Sequence, residues 1–311
     1  MENNLFPNIV GQESVKRKLA FYLESFNTSG ILPHLSITAP KGCGKTTLAK
    51  ALAKNLKIDG VQKRLLEINC ASLGNLTQFW TIVLDHLTNR DVTVLFDESS
   101  EIPRDITMAL LTILNPNPDN RNDFTFDGNT VCFDFRKLSF LFCTSEPQKC
   151  YDPLLDRLTP VELEDYTVSQ LSEIMRRKLK NIRVAAGLLE EIATTLRYNA
   201  RQAELRGTDI HNYLLARNKT EFNGQDWRNI IGYLGILPLG LSEIELRIMK
   251  VLRERPQTSL TQVASRLGFL RETVQKTFER YLLCHNLIEI RMRGRALTAK
   301  GTDYLKSLDT V

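Results

Sequence analysis

The sequence predicts an α/β P-loop core built on a parallel sheet, followed by a small all-helical domain and a C-terminal winged helix. Three observations predict it. The stretch "HLSITAPKGCGKTTLAKALAKNL", from His34 to Leu56, reads as a short apolar strand, a glycine-containing loop and then a helix with alanines and leucines at helical spacing. Two further apolar runs, "VTVLFDESS" and "LSFLFCTS", have the look of buried strands that end in polar residues. From Ser242 onward the spacing is that of two crossing helices, followed directly by a small basic hairpin.

Composition sets the outer limits. A chain of 311 residues with 42% apolar and 25% charged positions has material for two or three small domains. No apolar run has the length of a membrane span, and the opening "MENNLFPNIVGQESVKRKLA" lacks the order of a signal peptide, so no membrane association and a cytoplasmic location are expected. Six scattered cysteines without a C-x-x-C pair, and only four histidines, suggest neither a zinc site nor a disulfide framework. The net charge of +5 is unevenly spread. Residues 241–311 hold 13 Lys and Arg against 8 Asp and Glu, whereas the first 240 residues hold 28 of each. Folding alone gives no reason for that segregation, which points to a polyanionic partner for the last quarter.

The first element carries the strongest chemistry. Its loop is G-x-x-x-x-G-K-[ST] with one departure, Ala39 standing for the first glycine. Gly42 and Gly44 free the backbone to curl its N–H groups around phosphate oxygens, and the helix behind adds a favourable dipole. Lys45 is expected to reach the terminal phosphates of ATP, and Thr46 to hold Mg²⁺ through its hydroxyl, with Cys43 and Thr47 completing the loop. The second strand ends in Asp97, suited to the Mg²⁺ shell, and Glu98, suited to orienting and polarising an attacking water. Two acids ending a buried strand are hard to explain by packing, because each needs a partner to offset its desolvation. The third strand ends in Thr144 and Ser145, whose hydroxyls are candidates to sense a γ-phosphate. Before it, "NPDNRNDFTFDGNTVCFDF" predicts a hairpin turning at Asp127-Gly128.

After "YDPLLDRLTP" the pattern becomes helical, with Thr167 and Gln170 forming a capping box ahead of "LSEIMRRKLKNI", and "GILPLG" reads as a linker. In "SLTQVASRLGFLRETVQKTFERYLL", Ala264 sits where two helices cross, Gly268 at the tight turn, and Val274, Phe278 and Leu282 on the buried face of the second helix. Arg271, Lys276 and Arg280 fall on the outward face. The hairpin "IEIRMRGRALTAKG" then brings Arg291, Arg293 and Arg295 to one tip, where they are expected to contact DNA phosphates.

From Phe6 to Leu308 the sequence resembles the RuvB family, the AAA+ motors of Holliday-junction branch migration. "IVGQESVKRKLAFYLES", "APKGCGKTTLA", "VLFDE", "PLLDR", "YNARQA" and "YLLCHNLIEIRMRGRALTAKG" follow that family block by block. The resemblance implies an AAA+ core over 1–161, a helical lid over 162–238 and a winged-helix DNA-binding domain over 239–311. It implies Ile9 and Val10 near the adenine, Thr144 as sensor 1, Tyr166 and Arg201 as nucleotide contacts from the lid, and Arg157 as an arginine finger acting on a neighbouring subunit. A finger supplied in trans implies a homo-oligomeric ring, a hexamer in this family, working on double-stranded DNA such as a Holliday junction.

Departures accompany the matches. The family's "PLRDRFG" appears as "PLLDRLTP", so its first arginine is Leu155, and "SSEIP" follows the acids in place of an I-H-R-L pattern. The hairpin around Asp127-Gly128 is shorter than the family's, which docks on the partner RuvA, so a RuvA-like partner is not carried over. The expected activity is ATP hydrolysis coupled to movement on duplex DNA; the other reading is an ATP-controlled loader that assembles on DNA or a replication protein and resets by slow hydrolysis.

Overall fold

The computed structural model describes residues 5–309. They fall into two compact units that divide between Glu221 and Phe222. The first unit opens with α1 (Glu13–Ser29), β1 (Leu35–Thr38), the P-loop and α2 (Lys45–Ala53). A pair of two-residue strands, β2 (Lys57–Ile58) and β3 (Val61–Gln62), precedes β4 (Arg64–Asn69), α3 (Leu76–His86) and β5 (Val92–Asp97). Then come α4 (Arg104–Ile113), the hairpin strands β6 (Arg121–Phe126) and β7 (Asn129–Asp134), β8 (Leu138–Thr144), the short α5 (Asp152–Leu155) and β9 (Thr159–Glu162). The helical section of this unit holds α6 (Val168–Lys178), the two-residue β10 (Arg183–Val184), α7 (Leu188–Ala193) and α8 (Ala200–Leu215), and the unit boundary falls within β11 (Glu221–Phe222).

The main sheet has five parallel strands in the order β4-β5-β8-β1-β9. Its strands read as continuous apolar runs because both faces are covered. Alternate residues serve the two faces: Val92, Val94, Phe96, Phe140 and Phe142 pack into one core with α3 and α4, whereas Leu95, Leu141, Cys143, Leu35 and Ile37 pack into the other with α1 and α2. Phe96 and Phe142 stack in parallel with centroids 4.7 Å apart. This layering brings the carboxyl ends of β1, β5 and β8 to one edge of the sheet, where open α/β folds bind ligands. Thr38 pairs with Thr144, and Asp97 with Cys143, so the strand ends identified from sequence stand side by side.

The expected hairpin forms: β6 and β7 pair from Arg121 with Asp134 to Phe126 with Asn129, and Asp127 and Gly128 take the positive φ values, 50° and 75°, of the turn. The capping box at Thr167 and Gln170 is also present.

The second unit contains α9 (Gly224–Leu234), α10 (Glu243–Glu254) and α11 (Leu260–Leu267), then a helical stretch of α12 (Arg271–Thr273), a π-helical segment Val274–Glu279 and α13 (Arg280–Cys284), the hairpin β12 (Ile288–Arg291) and β13 (Gly294–Leu297), and α14 (Ala299–Asp309). Gly268 caps α11 at φ 74°, and Ala264, Val274 and Leu282 are buried in one core. Tyr281 donates from its hydroxyl to the Leu239 carbonyl at 2.6 Å, and Leu237 and Leu239 pack on that core, so the "GILPLG" stretch is held against this unit. Among the described residues no single helix is long and apolar enough to cross a membrane, and the six cysteines are all free.

Candidate nucleotide site and basic hairpin

Gly42 and Gly44 adopt φ 81° and 88°, and α2 begins on Gly44, so the loop curls and delivers its amides to the helix N-terminus. Lys45 Nζ donates to the carbonyls of Ala39 and Pro40, 2.9 and 3.0 Å away, arching over the loop. Burial lowers its ammonium from the ordinary lysine value, and Arg201 adds to that, while Cys143, Cys43 and Asp97 pull it back. Thr46 Oγ1 donates to both oxygens of Asp97, at 3.2 and 3.1 Å. A hydroxyl and a carboxylate converging in this way are a hard oxygen donor set, fitted to Mg²⁺.

These residues open onto a cleft of about 540 Å³ in the first unit. It is lined by Ile9 and Val10, by Gly42, Gly44, Lys45, Thr46 and Thr47 of the loop, and by Tyr166 and Arg201 of the helical section. Cys43 is only 4% exposed and does not line the cleft; its thiol is raised by burial. Asp97 joins the site through Thr46. Glu98 follows it as an exposed residue in the left-handed region, φ 54°, a backbone state that non-glycine residues hold at a cost. Thr144 is 1% exposed at the end of β8, and its hydroxyl accepts from the Glu146 amide at 3.0 Å. Arg157 stands outside the cleft lining. Its guanidinium donates to the Pro153 carbonyl at 2.7 Å and to Asn115 Oδ1 at 3.3 Å.

Several groups escaped the sequence reading. The cleft also carries Arg177, Lys178 and Lys180 against one acid, Glu204, so with Lys45 and Arg201 it presents five basic side chains to a ligand. The signal was the "RRKLK" run, residues 176–180, at the end of α6 and just beyond it. Asn199, at the start of α8, seats the helical section on the P-loop: its Nδ2 donates to the Lys41 carbonyl at 2.9 Å, and the Arg201 amide donates to the Gly42 carbonyl at 3.0 Å. A Cβ on Gly42 would stand 2.4 Å from Asn199 Oδ1, so this close approach requires glycine.

In the second unit Arg271, Lys276 and Arg280 are exposed, as their helical spacing implied. Arg293 is exposed at the hairpin turn, and Arg291 is exposed but ion-paired with Glu289. Arg295 departs from expectation. Its guanidinium forms a bidentate pair with Glu279, Nη2 lying 3.3 Å from Oε2, and the side chains are only 17% and 4% exposed. Glu279 is buried and needs a cation, so Arg295 is a structural brace between the hairpin and the helix, and its expected role as a phosphate contact is corrected.

A family model described as the RuvB C-terminal winged helix domain matches residues 238–306, and one described as the ATPase family associated with various cellular activities (AAA) matches residues 35–166. The Holliday junction branch migration complex subunit RuvB of Ehrlichia ruminantium (strain Gardel) is 25% identical over 318 residues, covering 98% of this chain and 92% of that relative. The protein of the same name from Thermotoga maritima is 25% identical over 312 residues, covering 96% and 89%. A solved mutant of Thermotoga maritima RuvB matches with a TM-score of 0.77 at 25% identity over 97% of each chain.

The chain is a RuvB-like AAA+ ATPase. The parallel-sheet core and the C-terminal region of this RuvB-like protein are the segments that match the AAA and winged-helix models.

Proposed function

We propose that this RuvB-like ATPase couples ATP hydrolysis in a homo-oligomeric ring to movement along double-stranded DNA, in the manner of Holliday-junction branch migration. The observation that supports the reading is the basic cleft lined by Lys45 and Thr46, with Asp97 held behind Thr46, and with the finger candidate, Arg157, outside its lining.

The side chains divide the work. Backbone amides around Gly42, Cys43 and Gly44, with Lys45 and Thr47, bind the phosphates, and Arg201 contributes from the lid. Ile9, Val10 and Tyr166 supply the walls for the base. Thr46 and Asp97 would hold Mg²⁺, which when bound neutralises phosphate charge. Glu98 orients the attacking water and accepts its proton, and Thr144 reports the state of the terminal phosphate to the core. Arg157 completes the site of the adjacent subunit, so the ring, a hexamer by family pattern, is a condition of turnover. Arg293 and Arg291 contact DNA phosphates, which position without reading sequence. The activity is placed in the cytoplasm, with lid residues 162–238 between the core and the winged helix in sequence.

The test is steady-state hydrolysis at fixed salt without DNA, with linear duplex and with a four-way junction, for the wild type and for Arg157→Ala. DNA stimulation that disappears in the variant is the expected result. Slow turnover indifferent to both DNAs would replace the motor with an ATP-controlled loader.

A further inference from the structure

A short segment ahead of α1 touches the cleft, the lid helix and the connection between core and lid at once. Pro7, Asn8, Ile9 and Val10 line the cleft. From α6, the Arg177 guanidinium donates to the carbonyls of Pro7 and Asn8 at 3.4 and 3.1 Å. Gly11 and Gln12 follow with left-handed backbones, φ 62° and 61°. For glycine this is free; for glutamine it is a strained state that persists only where the surroundings fix it.

Both residues are fixed by the lid side. A Cβ on Gly11 would meet Gln170 Nε2 at 2.5 Å, so the capped N-terminus of α6 sits directly on the Gly11 backbone. Gln12 is 2% exposed and makes no side-chain cap on its own helix. Its amide instead donates to the Glu164 carbonyl at 2.7 Å and accepts from the Glu164 N–H at 2.8 Å. Glu164 lies between the end of β9 and the start of α6, and two residues further on is Tyr166, a wall of the cleft. One side chain thus closes a pair of hydrogen bonds of the kind a strand makes, on the backbone where the chain leaves the core. Only glutamine offers a donor and an acceptor at this length: glutamate lacks the donor and leucine lacks both.

We propose that Gly11 and Gln12 couple occupancy of the nucleotide cleft to the orientation of the lid, with Gln12 the positioning residue of the core-to-lid connection. The proposal rests on reading the cleft as the ATP site. A nucleotide that shifts Ile9 and Val10 pulls on the two residues that follow them, and the paired bonds to Glu164 pass that displacement to the connection. Closure of the lid on the P-loop, through Asn199 and Arg201, then depends on the nucleotide.

The experiment compares wild type with Gln12→Leu, Gln12→Glu and Gly11→Ala in the full chain. Three quantities are read: the Kd of a fluorescent ATP analogue, kcat for ATP, and hydrogen exchange of residues 163–166 with and without a non-hydrolysable ATP analogue. Gln12→Leu is expected to hold Kd within about threefold while kcat falls about tenfold, and to abolish the nucleotide-dependent protection of the Glu164 amide. Gln12→Glu, which sets a carboxylate oxygen against the Glu164 carbonyl, loses at least as much as Gln12→Leu, and Gly11→Ala reproduces the loss by displacing Gln170. Variants with unchanged kcat and unchanged nucleotide-dependent exchange overturn the proposal. So does a proportionate rise in Kd and fall in kcat, the mark of a damaged cleft. Should Gln12→Leu fail to fold, the other two carry the same readouts. A wild type that binds no ATP overturns the reading of the cleft itself.

Discussion

His34, the residue before β1, is half-buried, with its ring edge-on to Phe135 and Phe140, centroids 4.7 and 5.6 Å away, and its buried Nδ1 has no hydrogen-bond partner. Burial lowers its pKa from 6.5 to about 4. Between those values the unfolded chain binds a proton that the folded chain refuses. The stability held by the neutral ring is therefore complete above pH 6.5 and is lost as pH falls toward 4, by about 1.4 kcal/mol for each unit. His34→Phe keeps the aromatic packing and removes the titration. Urea unfolding of the first unit should show the wild type losing about 2 kcal/mol more than His34→Phe between pH 7 and pH 5; equal losses would mean that the imidazole reaches water. Gln12 and Arg295 illustrate what residue types alone conceal. Each was visible in the sequence, but its role depends on a partner 152 or 16 positions away.

At the scale of elements, local signals were read well and long-range pairings were not. The Asp127-Gly128 turn, the Thr167-Gln170 capping box and the glycine loop between β1 and α2 are each settled within a few residues, by backbone conformations that few side chains permit. The hairpin of β12 and β13 was equally legible as a hairpin, yet alternation could not say which of its arginines faced water. Packing against the helix decided that, because Glu279 lies on the buried side of the turn of helix that the hairpin covers. The two roles separate by measurement. Arg295→Ala should destabilise the second unit by about 3 kcal/mol, since it strands a buried carboxylate. Arg293→Ala should leave the melting temperature unchanged and reduce the salt dependence of DNA binding by about one counterion. An Arg295→Ala protein as stable as wild type with a reduced salt slope would restore that arginine to the phosphate contacts.

For the whole molecule, the fold class was legible because buried parallel strands announce themselves as unbroken apolar runs, and chemistry collects at their carboxyl ends. Assembly is a different matter: no spacing in one chain reveals what a neighbour supplies. The placement of Arg157 away from the cleft gives a direct test. Lys45→Ala subunits lack the phosphate clamp and Arg157→Ala subunits lack the finger, so each protein alone should be inactive. Mixed in equal amounts they should recover hydrolysis at about a quarter of their interfaces, those pairing an intact clamp with an intact finger. A mixture no more active than its components would mean that Arg157 serves its own subunit. The chain also contains two tryptophans, one in each compact unit: Trp80, packed edge-on beneath Phe124 and Phe126 of the β6–β7 hairpin, and Trp227 in α9, both 3% exposed. Replacing either by phenylalanine leaves a protein whose tryptophan emission comes from a single unit. The molecule thus holds its own pair of lamps, by which its two compact units can be watched separately without a foreign dye.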